Sequence, residues 1–72
     1  MKYETGKLYW FKEDRCHIVF RVMSAGTGNV TCDFIVGDHF ITGFSEGSDV
    51  WHYSTPCTGT QIAMIELLYG ED

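Results

Sequence analysis

Apolar and polar residues alternate most regularly over residues 16–23, CHIVFRVM, where Cys16, Ile18, Phe20 and Val22 fall on one side and His17, Val19, Arg21 and Met23 on the other. A period of two predicts a strand with one face buried. The pattern returns after SAGTGN (24–29): Val30, Cys32, Phe34 and Val36 repeat the parity opposite Thr31, Asp33 and Ile35, so the pair predicts an antiparallel hairpin around a Gly-rich turn. Upstream, KLYWFK (7–12) predicts an aromatic strand, apolar on both faces, that ends at Glu13-Asp14. Downstream, Gly37-Asp38 marks a turn, and HFITGF (39–44) predicts a strand in which Gly43 signals a bulge or a close backbone approach. VWHYS (50–54) predicts a short fifth strand, closed off by Pro56 and Gly59. Five short strands predict a mainly β fold, a small antiparallel barrel or a curled five-stranded sheet.

The last stretch, TGTQIAMIELLYGED, carries a different signal. Thr58 with Gln61 three residues on fits a capping box, the residues between favour helix, and Gly70 suits the position just past a helix end. A helix would place Ile62, Ile65, Leu68 and Tyr69 on one face. The run is apolar enough that a strand buried on both sides reads the same way, with a short C-terminal helix the favoured form.

Seventy-two residues make a single domain, 1–72, and a chain this short buries only about 60% of the surface it exposes when unfolded. At 44% hydrophobic and 15% aromatic it has the apolar area to offset chain entropy, which separates it from a disordered tail. No run of 18 apolar residues suits a membrane span, and MKYETGKLYW lacks a signal-peptide pattern, so the expected location is the cytoplasm. Cys16, Cys32 and Cys57 are odd in number and widely spaced, a poor disulfide framework. Free thiols are expected, with Cys16 and Cys32 acting as small hydrophobes.

Charge changes the picture more. All five basic residues (Lys2, Lys7, Lys12, Arg15, Arg21) precede Val22, against three acids there, for a net +2. From Val22 onward the chain holds seven acids (Asp33, Asp38, Glu46, Asp49, Glu66, Glu71, Asp72) and no base. Strands fold back on one another, so this segregation need not survive in three dimensions.

No catalytic motif is present, and no enzyme activity or cofactor is expected. Three cysteines and three histidines invite a zinc reading, yet the only close pair, Cys16-His17, points to opposite faces of a strand. Cys57 has no basic cluster or helix start beside it to lower its pKa. GTGN (26–29) lacks the Lys and Ser/Thr of a phosphate loop. Tyr9, Trp10, Phe11, Trp51 and Tyr53 offer a stacking platform for single-stranded nucleic acid, with a basic stripe from Lys7, Lys12, Arg15 and Arg21, but a net charge of −5 disfavours it.

The segment FSEGSDVWHY (44–53) sets Glu46 and Asp49 before bulky side chains. On a strand Trp51 and Tyr53 share one side, and an aromatic pair beside carboxylates reads as a contact surface for a basic partner or as completion of the core.

The opening YETGKLY (3–9), with its compact strands and Gly-punctuated acidic second half, resembles small phage-encoded proteins with SH3-like β-barrels. That resemblance implies a non-catalytic inhibitor in the host cytoplasm that docks on a basic, nucleic-acid-binding host protein, in some cases as a DNA mimic. Asp33, Asp38, Glu46, Asp49 and Glu66 are then the expected charges, with Trp51 and Tyr53 as anchors. Homodimerisation would raise their density, since seven carboxylates in 51 residues are dilute beside duplex DNA. The competing reading is a structural or assembly module that self-associates.

Overall fold

The computed structural model describes residues 3–69. One five-stranded antiparallel sheet forms the body, built from β1 (Leu8–Glu13), β2 (Cys16–Gly26), β3 (Asn29–Gly37), β4 (Gly43–Ser45) and β5 (Ser54–Pro56). The strands lie in the order β4-β3-β2-β1-β5, so the short β4 and β5 are the two edges and the sheet does not close. A five-residue helix, α1 (Asp49–Tyr53), links the edges, and α2 (Gly59–Tyr69) follows β5.

The alternation of β2 and β3 decides which face is core. Tyr9 pairs with Phe20, and Phe11 with Ile18, so these four side chains share a face with Val22, Val30 and Cys32, all buried. The opposite face carries Leu8, Trp10 and Val19. Leu8 is buried there too, which explains why KLYWFK reads as apolar on both sides: α2 lies over that second face.

Two irregularities break simple parity. Phe20 pairs with Phe34 but Val19 with Val36, leaving Ile35 as an extra residue; Val22 pairs with Cys32 but Ser24 with Thr31, leaving Met23 extra. Each extra residue reverses the facing of the strand beyond it. Val36, expected on the core face, therefore stands opposite Val19, while Ala25 turns inward to pack against the core. The β2–β3 turn is also tighter than expected, only Thr27-Gly28, with Gly28 at φ +77°.

The strand expected over 39–44 is confined to Gly43–Ser45. Residues 38–42 instead form an irregular cover beside β3, where the Thr42 carbonyl accepts from the Cys32 amide and Phe40 meets Phe34 at 5.4 Å between ring centres. Gly43 is the close approach its position suggests, since a Cβ there would sit 2.7 Å from the Val30 carbonyl oxygen.

The strand expected over 50–54 is the larger correction. Ser48 caps a helix, its Oγ accepting from the Trp51 amide at 3.2 Å, and Asp49 occupies the favourable acidic position of the first turn. Only Ser54–Pro56 is strand, and Pro56 is tolerated because β5 is an edge. The Thr58–Gln61 capping box is formed in both directions, at 2.7 and 3.2 Å. Gly70 lies outside the described residues, as does the side chain of Tyr69.

Tyr3 organises the core end. Its ring lies 4.8 Å from Tyr9, 5.1 Å from Phe44, 5.3 Å from Trp51 and 6.4 Å from Phe20, and its hydroxyl donates to the backbone carbonyls of Trp51 (2.7 Å) and Val50 (3.0 Å). Burial pushes its phenol above the ordinary value of 10.0, with the nearby Ser54 hydroxyl pulling the other way. The folded state thus holds that proton more tightly than the unfolded chain. Its stabilising contribution is complete below about pH 10 and is lost as pH rises beyond it. Tyr3→Phe is expected to lower the unfolding free energy by about 1–2 kcal/mol at neutral pH, because the helix carbonyls lose their donor. Urea denaturation of both proteins should show that gap narrowing above about pH 10; a gap constant with pH would remove the hydroxyl from this role.

Candidate interaction site

The sequence-derived residues do not gather into one patch. Asp33 is exposed on the outer face of β3, directly opposite Arg21 of β2. Asp38 follows β3 and serves the fold: its Oδ2 accepts from the His17 amide at 3.1 Å, while its own amide donates to the His17 carbonyl. Glu46 sits at the other end of β3, its amide donating to the Gly28 carbonyl, and Asp49 begins α1 close by in sequence. The eight steps of β3 from Asn29 to Gly37 cover about 26 Å at ~3.3 Å each, so Asp38 and Glu46 mark distant ends. Glu66, on α2, lines a groove with Lys7 and Arg21 and is set among bases rather than acids.

Trp51 and Tyr53 part company because helix replaces the fifth strand expected at their positions. Two residues on a helix differ by about 200° in direction, whereas on a strand they share a face. Trp51 is half-buried, 5.3 Å from Tyr3 and 6.3 Å from Phe44, so most of its ring belongs to the core. Tyr53 is 62% exposed with His52 beside it at 6.3 Å, and it alone of the pair is presented outward. The stacking platform fares similarly. Tyr9 and Phe11 are buried, which leaves Trp10 half-exposed on the outer face with Lys12 Nζ 5.5 Å from its ring.

Charge segregation nevertheless survives folding. Among the described residues, the strip made of β3, β4, α1 and their connections holds Asp33, Asp38, Glu46 and Asp49 and no Lys or Arg. The remainder, β1, β2, α2 and their loops, holds four bases (Lys7, Lys12, Arg15, Arg21) and four acids (Glu4, Glu13, Asp14, Glu66). Because β3 and β4 lie together at one side of the sheet, Asp33, Asp38 and Glu46 fall toward that side, while α1, which begins at Asp49, crosses from β4 to β5.

Sequence reasoning missed a second surface. Between α2 and the outer face of the sheet runs an apolar groove of about 290 Å³, walled by Trp10 and Val19 below and Met64, Ile65 and Leu68 above. The signal in the sequence is the near-absence of polar residues in QIAMIELLY: a helix with no polar side has more apolar surface than one sheet face covers.

No group of three or more potential metal ligands occurs among the described residues. The cysteines are poorly suited to nucleophilic chemistry: burial raises the thiol pKa at Cys16 and Cys57, and takes Cys32 from 9.0 up to about 11, with Asp33 adding to the effect. No described helix is long and apolar enough to cross a membrane. No family model, characterised protein or solved structure matches the chain.

Cys32 therefore reports on folding. In the native protein at about pH 8 it should react with a thiol reagent at least tenfold more slowly than in the urea-unfolded chain, a difference read by mass spectrometry of the labelled peptides. Equal rates would place Cys32 outside the core.

Proposed function

We propose that this chain is a non-catalytic acidic binding module that docks a basic protein against the β3–β4–α1 side of its sheet. The observation that carries the reading is that β3, β4, α1 and their connections hold four carboxylates and no Lys or Arg of their own, the nearest base being Arg21 of β2 opposite Asp33. Such a surface steers and selects a partner more than it holds one. Contact area has to come from elsewhere, and Tyr53, exposed on α1 next to the acidic loop, supplies an aromatic anchor of the kind that carries binding energy at interfaces. Trp51 contributes from behind, by fixing α1 on the core.

The resemblance to phage inhibitors suggests a nucleic-acid-binding host protein as the basic partner. The arrangement favours recognition of dispersed basic side chains over imitation of duplex DNA. Asp33, Asp38 and Glu46 are strung over the length of β3, about 26 Å, whereas duplex DNA presents a charge every ~1.7 Å of its axis. The chain's own Arg21 also stands opposite Asp33 and softens the middle of the row.

Affinity capture from lysate, washed at rising salt, should yield a basic protein that is released between about 0.05 and 1 M salt, over which screening shortens severalfold. Glu46→Lys together with Asp49→Lys should weaken that complex at least tenfold at low salt, and Tyr53→Ala should do so with less dependence on salt. A partner retained by the charge-reversed protein with unchanged affinity would sink the assignment of this side.

A further inference from the structure

The two edges of the sheet are not equally open. On β5 the Cys57 amide donates to the Leu8 carbonyl at 3.0 Å, so the alternation of an antiparallel ladder turns the backbone groups of Ser54 and Pro56 outward. Proline has no N–H, and the Ser54 amide already donates to the Val50 carbonyl, so this edge presents no free donor. On β4 the Thr42 carbonyl accepts from the Cys32 amide at 2.9 Å, and the Glu46 amide donates to the Gly28 carbonyl at 2.8 Å. Thr42, Phe44 and Glu46 therefore face β3, and Gly43 and Ser45 face outward. The Ser45 carbonyl is taken by the Ser48 amide and hydroxyl. The N–H and C=O of Gly43 and the N–H of Ser45 have no partner among the described residues, and both residues are exposed. Neither Pro nor Lys, the residues that commonly blunt such an edge, occurs in β4 or beside it.

We propose that the β4 edge takes an extended, basic segment of the partner as a sixth strand, an inference that rests on the docking of a basic protein argued above. Charge selects the occupant. Glu46 directly follows β4 and Asp49 begins α1 three residues later, both exposed, and β3, β4, α1 and their connections hold no Lys or Arg. Lys or Arg on an added strand is drawn to those carboxylates, while the free groups of Gly43 and Ser45 fix its register through main-chain bonds. A second copy suits this edge poorly. Two chains of net charge −5 repel, and a β4-to-β4 pairing carries both acidic loops into the contact.

Size sets the strength. Gly43 and Ser45 are two residues apart, so the free groups extend over about 7 Å of an added strand, and a short peptide alone should bind with a dissociation constant on the order of 100 μM. The rest of a folded partner adds contact at Tyr53 and along the acidic strip.

The probe is a short peptide of alternating lysine and valine, blocked at both ends, titrated into the full chain at about 0.05 M salt and followed by amide NMR. Near saturation the Gly43 and Ser45 amides should exchange with solvent about tenfold more slowly than in the free protein. Ser45→Pro removes only an outward N–H, and N-methylation of every peptide amide keeps the charge; each should weaken binding about tenfold. Should Ser45→Pro lower the thermal melt, the methylated peptide on the wild type decides. Glu46→Lys with Asp49→Lys should also weaken binding about tenfold. Equal binding of the methylated peptide, or unslowed exchange at Gly43 and Ser45, overturns strand addition and leaves charge-guided docking in place. Binding that needs the peptide amides but ignores the charge reversal overturns the docking reading and with it the basic class of the strand. A peptide that does not bind overturns the proposal. So does a wild type that self-associates and loses this in Ser45→Pro, since a second copy is then the occupant.

Discussion

The fold turns on the hydroxyl of Tyr3. A chain of this length cannot bury a large aliphatic core, and it compensates by stacking rings: Tyr3 touches Tyr9, Phe44 and Trp51 within about 5 Å, and Phe44 in turn lies 5.2 Å from Phe20. Rings alone would leave the arrangement loosely defined. The two bonds from the Tyr3 hydroxyl to the Val50 and Trp51 carbonyls set where α1 sits, and α1 spans from β4 to β5 across the open side of the sheet. The amide of Glu4 adds a bond to the Tyr9 hydroxyl, so the segment entering β1 is fixed at both its rings. Placement of Trp51, exposure of Tyr53 and closeness of Asp49 to the acidic loop all follow from that anchorage.

The second constraint is that the central strands are apolar on both faces. Leu8, Trp10 and Val19 would be exposed if the sheet had only its aromatic core, and α2 covers them. The cover is incomplete because a single helix spans a narrow stripe, leaving Met23 half-exposed on the same face and an apolar groove beneath Met64 and Leu68. The sheet order sets α2 over the β1–β2 end of the outer face and leaves Asp33, Asp38 and Glu46 toward the other edge, with Asp33 and Arg21 meeting between them.

Much of this architecture is legible in the residues. The period-two alternation of 16–23 and 30–34 marks the hairpin and its core face, and the Thr58–Gln61 pair marks the start of α2. Parity counting fails where the pairing itself slips, at Ile35 and Met23, since a bulge is decided by the partner strand and leaves no mark in one strand's pattern. VWHYS misleads because its bulky residues favour strand on average, while the Ser48 cap and the acidic Asp49 decide locally for helix. That single exchange of strand for helix sends Trp51 into the core and leaves Tyr53 outside. Tyr3 is legible only as part of a motif, because its role comes from contacts 47 and 48 residues away.

Charge is the feature whose three-dimensional meaning is hardest to foresee from the chain. Antiparallel strands that meander in chain order keep sequence neighbours side by side, and β1, β2, β3 and β4 do so here, with β5 alone returning to the β1 edge. A linear gradient of charge is then carried across the sheet instead of being mixed by it. Because β5 bears no charged residue, its return leaves the gradient intact. The balanced side and the acidic side thus arise from strand order, and a topology with more crossovers would have paired the same residues with one another.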